Sequence, residues 1–210
     1  MHKLICIVML LSISSAATSL LAQRLSAQLS VGVARTGLYN QPAVITAYDE
    51  GGFPLSQSAS FAPNVNLSLF RKLTERVSLM AGVGIGQYAY TETGMQGNGG
   101  PGFSPYTGPT GWTFIEFSGG YRHVFSPEKK TSFLVESGVL YDWNSSDFSP
   151  VDGGFALQQK IGTTSKLTED SRLTVTIFFK SGVSRYNEPR YGNAYMPYAY
   201  GIQVGVIGRK

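Results

Sequence analysis

The sequence predicts an all-β protein, an eight-stranded antiparallel up-and-down transmembrane β-barrel. Three observations predict it. Charged residues make up only 14% of the 210-residue chain although mean hydropathy is close to zero, where ordinary soluble domains carry roughly 25% charge. Beyond the N-terminal leader the apolar residues alternate with small or polar ones, and no run of about 18 apolar residues that a spanning helix needs occurs. The connections between the alternating segments are by turns short and long. Low charge, 25 glycines, 12 tyrosines and 12 phenylalanines suit strands with one apolar and one polar face.

Residues 1–27 read as a cleaved signal peptide and 28–210 as the barrel. His2 and Lys3 form a short basic start, Leu4 to Leu11 an apolar run of eight, and small and polar residues follow from Ser12 to Ser19 before Leu20-Leu21-Ala22-Gln23. This is the order of a secretory signal, and the run is too short to span a membrane as a helix. Cleavage after Ala17, Ala22 or Ala27 fits equally. Removing the leader takes Cys6, so disulfides contribute nothing to stability. It also takes Lys3 and Arg24, leaving 15 basic residues against 13 acidic ones, weak grounds for nucleic-acid binding. His123 is then the single histidine, which excludes a multi-histidine metal site.

Period-two alternation is clearest in Val77-Leu79-Ala81-Val83-Ile85, Leu173-Val175-Ile177-Phe179 and Tyr198-Tyr200-Ile202-Val204-Val206. Eight such segments are expected, at about 28–38, 60–71, 76–91, 111–125, 131–143, 155–164, 172–186 and 197–209. They are longer than common globular strands and match the nine to eleven tilted residues that cross a bilayer. Short turns at 72–75, 126–130 and 165–171 face one pole with both termini. Long loops at 39–59, 92–110, 144–154 and 187–196 face the other. Such alternation marks an outer-membrane barrel, while a soluble lipocalin-like barrel stays open as the reading in which apolar residues point inward.

The polar face carries Glu116, Arg122, Glu136, Lys160 and Lys180, which we expect to form an interior charge network. Gly32, Gly82, Gly84, Gly201 and Gly205 leave room opposite them, and buried charges of mixed sign must pair. Closing the 126–130 turn tightly sets Phe125 opposite Thr131 and Gly120 opposite Glu136, with Arg122 one diagonal step away. Tyr88, Tyr90, Trp112, Tyr141, Trp143, Tyr186, Tyr198 and Tyr200 lie near the long-loop ends, where an aromatic girdle is expected, though not every ring need face lipid. The short-turn pole is basic (Arg71, Lys72, Arg76, Lys129, Lys130, Lys166, Arg172, Arg209, Lys210). The loop pole is more acidic (Asp49, Glu50, Glu92, Asp147, Asp152, Glu188), with Arg190 an exception. Arg35 and Arg185, at loop ends of their strands and outward by parity, are candidate lipopolysaccharide contacts.

With leader, alternation and unequal loops assembled, the chain resembles small outer-membrane β-barrels of the OmpA/OmpX type. The Leu-Leu-Ala-Gln leader ending and the Tyr- and Gly-rich strands are similar to the Bacteroidota outer membrane protein beta-barrel domain family. The resemblance covers about residues 28–210, and implies a bacterial outer-membrane location and insertion by the barrel machinery. The ending Val206-Ile207-Gly208-Arg209-Lys210 departs from the terminal aromatic common in such barrels.

No motif points to catalysis. Gly82-Val83-Gly84-Ile85-Gly86 lies within a strand, and Gln87 occupies the place of the third Gly of a dinucleotide loop. No G-x-S-x-G elbow occurs. His123 falls with Ile115, Phe117 and Tyr121 on the lipid side near the turns, poorly placed for a base acting at the outer leaflet. The expected function is non-enzymatic, without cofactor or metal: a membrane scaffold or interaction protein acting through its long loops. Its expected partners are outer-membrane lipid and lipopolysaccharide, and a protein at the loops, but no nucleic acid. The alternatives are a narrow, porin-like pore and a lipid-A-modifying enzyme.

Overall fold

A computed structural model of the chain describes residues 25–39, 52–97, 103–144, 152–184, 186–188 and 193–209. The signal segment up to residue 24 and the Arg185, Asp49, Glu50, Asp147, Arg190 and Lys210 positions lie outside them. The barrel strands are β1 (Leu25–Leu38), β2 (Gly52–Lys72), β3 (Val77–Gly97), β4 (Phe103–Phe125), β5 (Thr131–Trp143), β6 (Gly154–Lys166) and β7 (Ser171–Gly182). After a separate short hairpin of β8 (Tyr186–Glu188) and β9 (Asn193–Tyr195), β10 (Pro197–Arg209) pairs with both β7 and β1 and closes the barrel. Every pairing is antiparallel.

Alternation decides what faces where. On β6, Gly154, Ala156, Gln158 and Lys160 are buried, while Phe155, Leu157, Gln159 and Ile161 are exposed. On β7, Arg172, Thr174, Thr176, Phe178 and Lys180 are buried and Val175, Ile177 and Phe179 exposed. Each barrel strand contributes to the outer apolar surface, with Leu29, Leu67, Ile85, Phe117, Val139, Ile161, Ile177 and Ile202 as one example from each. A water-soluble monomer rarely shows an apolar patch above a few hundred Å², whereas this one runs round the barrel. Ions inside and aliphatics outside invert a lipocalin-like barrel, so that reading is withdrawn. Polar side chains on this outer surface pair with one another: Ser137 Oγ donates to Gln159 Oε1 at 2.6 Å.

The belt has the height of a bilayer core. From Phe133 to Trp143 β5 rises ten residues. At about 3.3 Å per residue and a tilt of about 40° they span roughly 25 Å. Tyr141, Trp143 and Tyr200 are exposed at the loop end, and Tyr198 stacks on Tyr200 with centroids 6.4 Å apart. At the turn end the rings of His123, Phe125 and Phe133 follow one another at 4.4 and 5.5 Å.

Three sequence expectations need correction. The first concerns strand limits. β1 starts three residues earlier than expected, with Leu25 opposite Arg71 and Ser26 opposite Arg209. β2, β3 and β4 run well into the expected loops. Thr91–Gly97 continues to pair with Phe103–Pro109, and Gly52–Ala59 joins them on the other side of β3. Here β-branched Thr93 and Thr107 pair and share a hydroxyl hydrogen bond of 3.2 Å. The β2–β3 register breaks between Ala59 and Asn64, and Pro63, which has no N–H to give, sits in that break. β7 ends at Gly182 rather than 186, because Tyr186 leaves the ladder for the short hairpin.

The second correction is the β4–β5 register. Phe125 faces Phe133, Gly120 faces Gly138, and Arg122 is directly opposite Glu136. The turn is wider than a five-residue closure. Ser126 adopts φ 52°, and its carbonyl accepts from Lys129 N–H at 3.1 Å and from the Ser132 hydroxyl at 2.7 Å. The slip is two residues, so every side chain keeps its face. The third correction, to the aromatic girdle, belongs with the interior below.

A left-handed conformation costs a non-glycine residue about 1–2 kcal/mol, and the two bonds to Ser126 use its carbonyl alone. Ser126→Gly keeps them. We expect it to stabilise the barrel by about 0.5–1 kcal/mol after the entropy of glycine is counted, read as a higher urea midpoint in lipid vesicles. A lower midpoint contradicts this account of the turn.

Candidate functional site

Eight strands enclose a lumen just wide enough for side chains to fill it. The structure places Glu116, Arg122, Glu136, Lys160 and Lys180 inside that lumen, all buried, where they form two clusters stacked along the axis.

The cluster nearer the turns is built on Glu136. Arg122 binds its Oε1 through both Nε, at 2.6 Å, and a terminal nitrogen, while Lys160 Nζ stands 3.6 Å from Oε2. Strand pairing sets this up, since Glu136 lies between Arg122 on β4 and Lys160 on β6 in one row. Further donors are met across the lumen. Arg122 donates to Gln28 Oε1 at 2.5 Å, Lys160 to Gln203 Oε1 at 2.8 Å, and Gln203 Nε2 to Asn64 Oδ1 at 3.0 Å. The Arg122 guanidinium lies 3.7 Å over the Phe70 ring. Two cations and one carboxylate leave this cluster a positive excess.

The cluster nearer the loops is its complement. Lys180 binds Glu116 Oε1 and, at 3.1 Å, Asp142 Oδ1. Two carboxylates against one ammonium leave a negative excess. Asp142 Oδ2 receives hydroxyl hydrogen bonds from Tyr88 at 3.0 Å and Tyr186 at 2.6 Å, and Lys180 Nζ lies 4.5 Å from the Tyr88 ring centroid. Charge-assisted donation of this kind keeps a second carboxylate tolerable. The two excesses cancel over the six ions.

Above Asp142 the lumen closes with rings. Tyr88, Phe114 and Tyr186 meet edge to face, with centroids 5.7–6.1 Å apart, and Tyr90 packs likewise on Trp112 at 5.5 Å. Phe178 joins this core cluster. Tyr88, Tyr90, Trp112 and Tyr186 are therefore interior residues and not girdle. Parity explains three of them: Tyr88 and Tyr90 share a face with Gly82, Gly84 and Gly86, and Trp112 shares one with Glu116. Tyr186 turns inward from beyond the end of β7, drawn by Asp142. Between the rings and the turn-side cluster a cavity of about 20 Å³ remains, lined by Asn64, Glu116, Gln158 and Lys180 among others. That is room for about one water molecule.

One glycine is required by this packing. A Cβ built on Gly86 would overlap the Glu116 carboxylate, so the strand-three glycine run makes space for the ion that Lys180 holds. Asp142, Gln28, Gln203 and the two tyrosine hydroxyls complete the network but were absent from the sequence-derived set. Alternation carries the signal for Asp142, six residues after Glu136 and on the same face. Nothing in the sequence marks the glutamines, whose roles come from cross-lumen distance.

Elsewhere, Arg35 points outward between Tyr200 and Phe61 on the neighbouring strands at the loop-side rim. His123 also lies on the outer face, against Phe125. Arg172, expected among the turn charges, is buried, and donates to the Pro127 carbonyl at 2.9 Å. Among the described residues no group of three or more His, Cys, Asp or Glu is arranged to hold a metal.

The fold is similar to that of Neisserial surface protein A, with a TM-score of 0.53 at 8% identity over 88% of this chain and 96% of that one. The fold is that of a small outer-membrane β-barrel. The outer membrane protein OprG from Pseudomonas aeruginosa also aligns, with a TM-score of 0.48 at 8% identity over 88% and 95% of the two chains. So does the attachment invasion locus protein of Yersinia pestis, with a TM-score of 0.39 at 8% identity over 88% and 99%. No family model and no curated protein matches the sequence.

Removing Lys180 alone strands two buried carboxylates. Lys180→Met is expected to cost about 3–5 kcal/mol, and the triple variant K180M/E116Q/D142N to recover more than half of it, since no uncompensated charge remains. Urea unfolding in vesicles, followed by Trp112 and Trp143 fluorescence, measures both. A single variant no worse than the triple contradicts the ion-pair account.

Proposed function

We propose that this chain is a non-enzymatic protein of a bacterial outer membrane that acts as a scaffold or interaction protein on the loop side. The carrying observation is an apolar belt of bilayer height around a lumen stopped by paired ions and rings. The belt supports the membrane location, because hydrocarbon is the solvent that matches it. The paired ions and rings that fill the lumen speak against the narrow pore. The lipid-A-modifying alternative lacks support too: His123 is outward, at the turn end and far from the loop-side rim.

What remains available for contact is above the rim. There β2, β3 and β4 continue together as a three-stranded extension, from Gly52–Ala59, Tyr90–Gly97 and Phe103–Thr110. β5 stops pairing with β4 at Ile115–Trp143, so the upper part of β4 has β3 as its one ladder partner among the described residues. An exposed strand edge of this kind suits pairing with an extended partner segment. Arg35, flanked by aromatic rings at the same rim, is positioned to meet lipopolysaccharide phosphates. The leader ending and the Tyr- and Gly-rich strands favour the Bacteroidota beta-barrel domain family as the finer placement.

Replacing residues 92–108 by a two-residue turn should leave a folded barrel but abolish recovery of any partner that co-purifies with the whole chain from detergent-solubilised outer membranes. Equal recovery with the truncated barrel sinks the loop-side reading. Planar bilayers should show no single-channel steps, and lipid A mass spectra should be unchanged by overexpression. Export should leave a mature N-terminus before Leu25, because cutting after Ala17 or Ala22 preserves all of β1 while cutting after Ala27 removes its first three residues. Intact mass of the membrane form checks this.

A further inference from the structure

We propose that two copies of this chain dimerise side by side in the membrane through the outward polar pair of β5 and β6. Ser137 and Gln159 face each other across these strands, and the Ser137 hydroxyl donates to Gln159 Oε1 at 2.6 Å. Val135, Val139, Leu157 and Ile161 are their outward neighbours on the same two strands. Ser137 lies four residues above Phe133 and six below Trp143, so the pair sits near the middle of the apolar belt, with Gln159 exposed. A primary amide brings two N–H donors, and Gln159 Nε2 meets no acceptor among the described residues. Acyl chains offer it none, and the headgroups are roughly 12 Å away, half the belt's height and beyond the reach of the side chain.

What answers this amide lies at its own depth in the bilayer and carries both a donor and an acceptor. A second copy of the chain meets both conditions. About a two-fold axis along the membrane normal, each Gln159 Nε2 donates to Oε1 of Gln159 in the second copy, an isologous pairing. Each Oε1 has two lone pairs, one for its own Ser137 and one for the incoming N–H. The flanking strands fit the same axis. β4 and β7 lie on opposite sides of the β5–β6 pair, so the axis brings β4 of one copy against β7 of the other. On β4, outward Gly119 leaves a notch, since a Cβ built there has nothing within 4 Å. On β7, Ile177 stands out at 67% exposure. Gly119 pairs with Val139 and Ile177 with Ile161. Each step to a neighbouring strand shifts such a row by about 3 Å in depth at a tilt of about 40°, which leaves Gly119 and Ile177 within about 5 Å of the depth of Gln159. A ridge on each copy thus meets a hollow on the other.

The dimer rests on the outer-membrane reading, and its test separates the two. Barrels carrying Cys6→Ser and Lys129→Cys, the latter at an exposed turn position, are labelled with donor or acceptor dye and refolded together into phosphatidylcholine vesicles. Energy transfer is followed as lipid is added. Transfer above random proximity is expected, falling on dilution as the dimer dissociates. Gln159→Leu removes both amide bonds and leaves an apolar side chain facing lipid. The barrel should stay folded while the protein-to-lipid ratio at half-transfer rises about tenfold. Gly119→Leu, whose Cβ meets open space in its own barrel, should raise that ratio too by filling the notch. Leu67→Val, exposed on β2 across the barrel from the pair, should leave it unchanged. Heat-shifted migration in gels reports the folding of each variant. Random transfer at every dilution overturns the proposal, as does the parental ratio in a folded Q159L or G119L barrel. Barrels that insert but stay monomeric leave the scaffold reading standing, whereas barrels that fail to enter vesicles overturn both.

Discussion

The structure depends on one constraint: an ion inside an eight-stranded lumen must find its counter-ion within that lumen. Side chains fill the bore and leave room for about one water molecule, too little to solvate a stray charge. Six ions therefore sit in two clusters that are each off balance by one, in opposite senses, and balance together. Tyr88 and Tyr186 face inward because Asp142 needs donors. Gly86 is bare because Glu116 occupies the space of its side chain. Features that look unrelated along the chain follow from the same requirement.

The same constraint explains which parts of the fold were legible. Parity is a property of the chain alone, so the lipid and lumen faces of all eight strands could be assigned by alternation, and with them the five interior ions. Register belongs to the turn. Ser126 bends into a left-handed conformation and lets its carbonyl collect two hydrogen bonds, which moves Arg122 from a diagonal to a direct neighbour of Glu136. A slip of two preserves parity, so the hydrophobic pattern is blind to it, and only the ion pair distinguishes the two registers.

Residue type misled where parity would have served. Eight aromatics near the loop ends suggested a girdle, and half of them are instead the stopper of the lumen. A tyrosine satisfies either place, since it has an apolar body and one hydroxyl to bond. The decision falls to what shares its face. Tyr88 and Tyr90 follow the glycine run, and Trp112 stands with Glu116, while Tyr141 and Tyr200 alternate with buried neighbours. Tyr186 was beyond such reasoning, because it lies past the end of β7 and reaches Asp142 from a separate hairpin.

The two mouths of the barrel are not equivalent, and this bears on how the molecule can work. The loop-side mouth is filled by rings that pack edge to face over a carboxylate held by Tyr88, Tyr186 and Lys180. The turn-side mouth is lined by Lys72, Arg76, Arg172 and Glu75, with Arg122 joining it to the ion network. Between them, neutrality is reached only over both clusters, and the cavity admits about one water. The two mouths are consequently set apart by a lumen filled with paired ions and rings. A change at one mouth reaches the other only through the strands that bear both, β4 above all, which carries the outer ribbon, Glu116 and Arg122 in a single run.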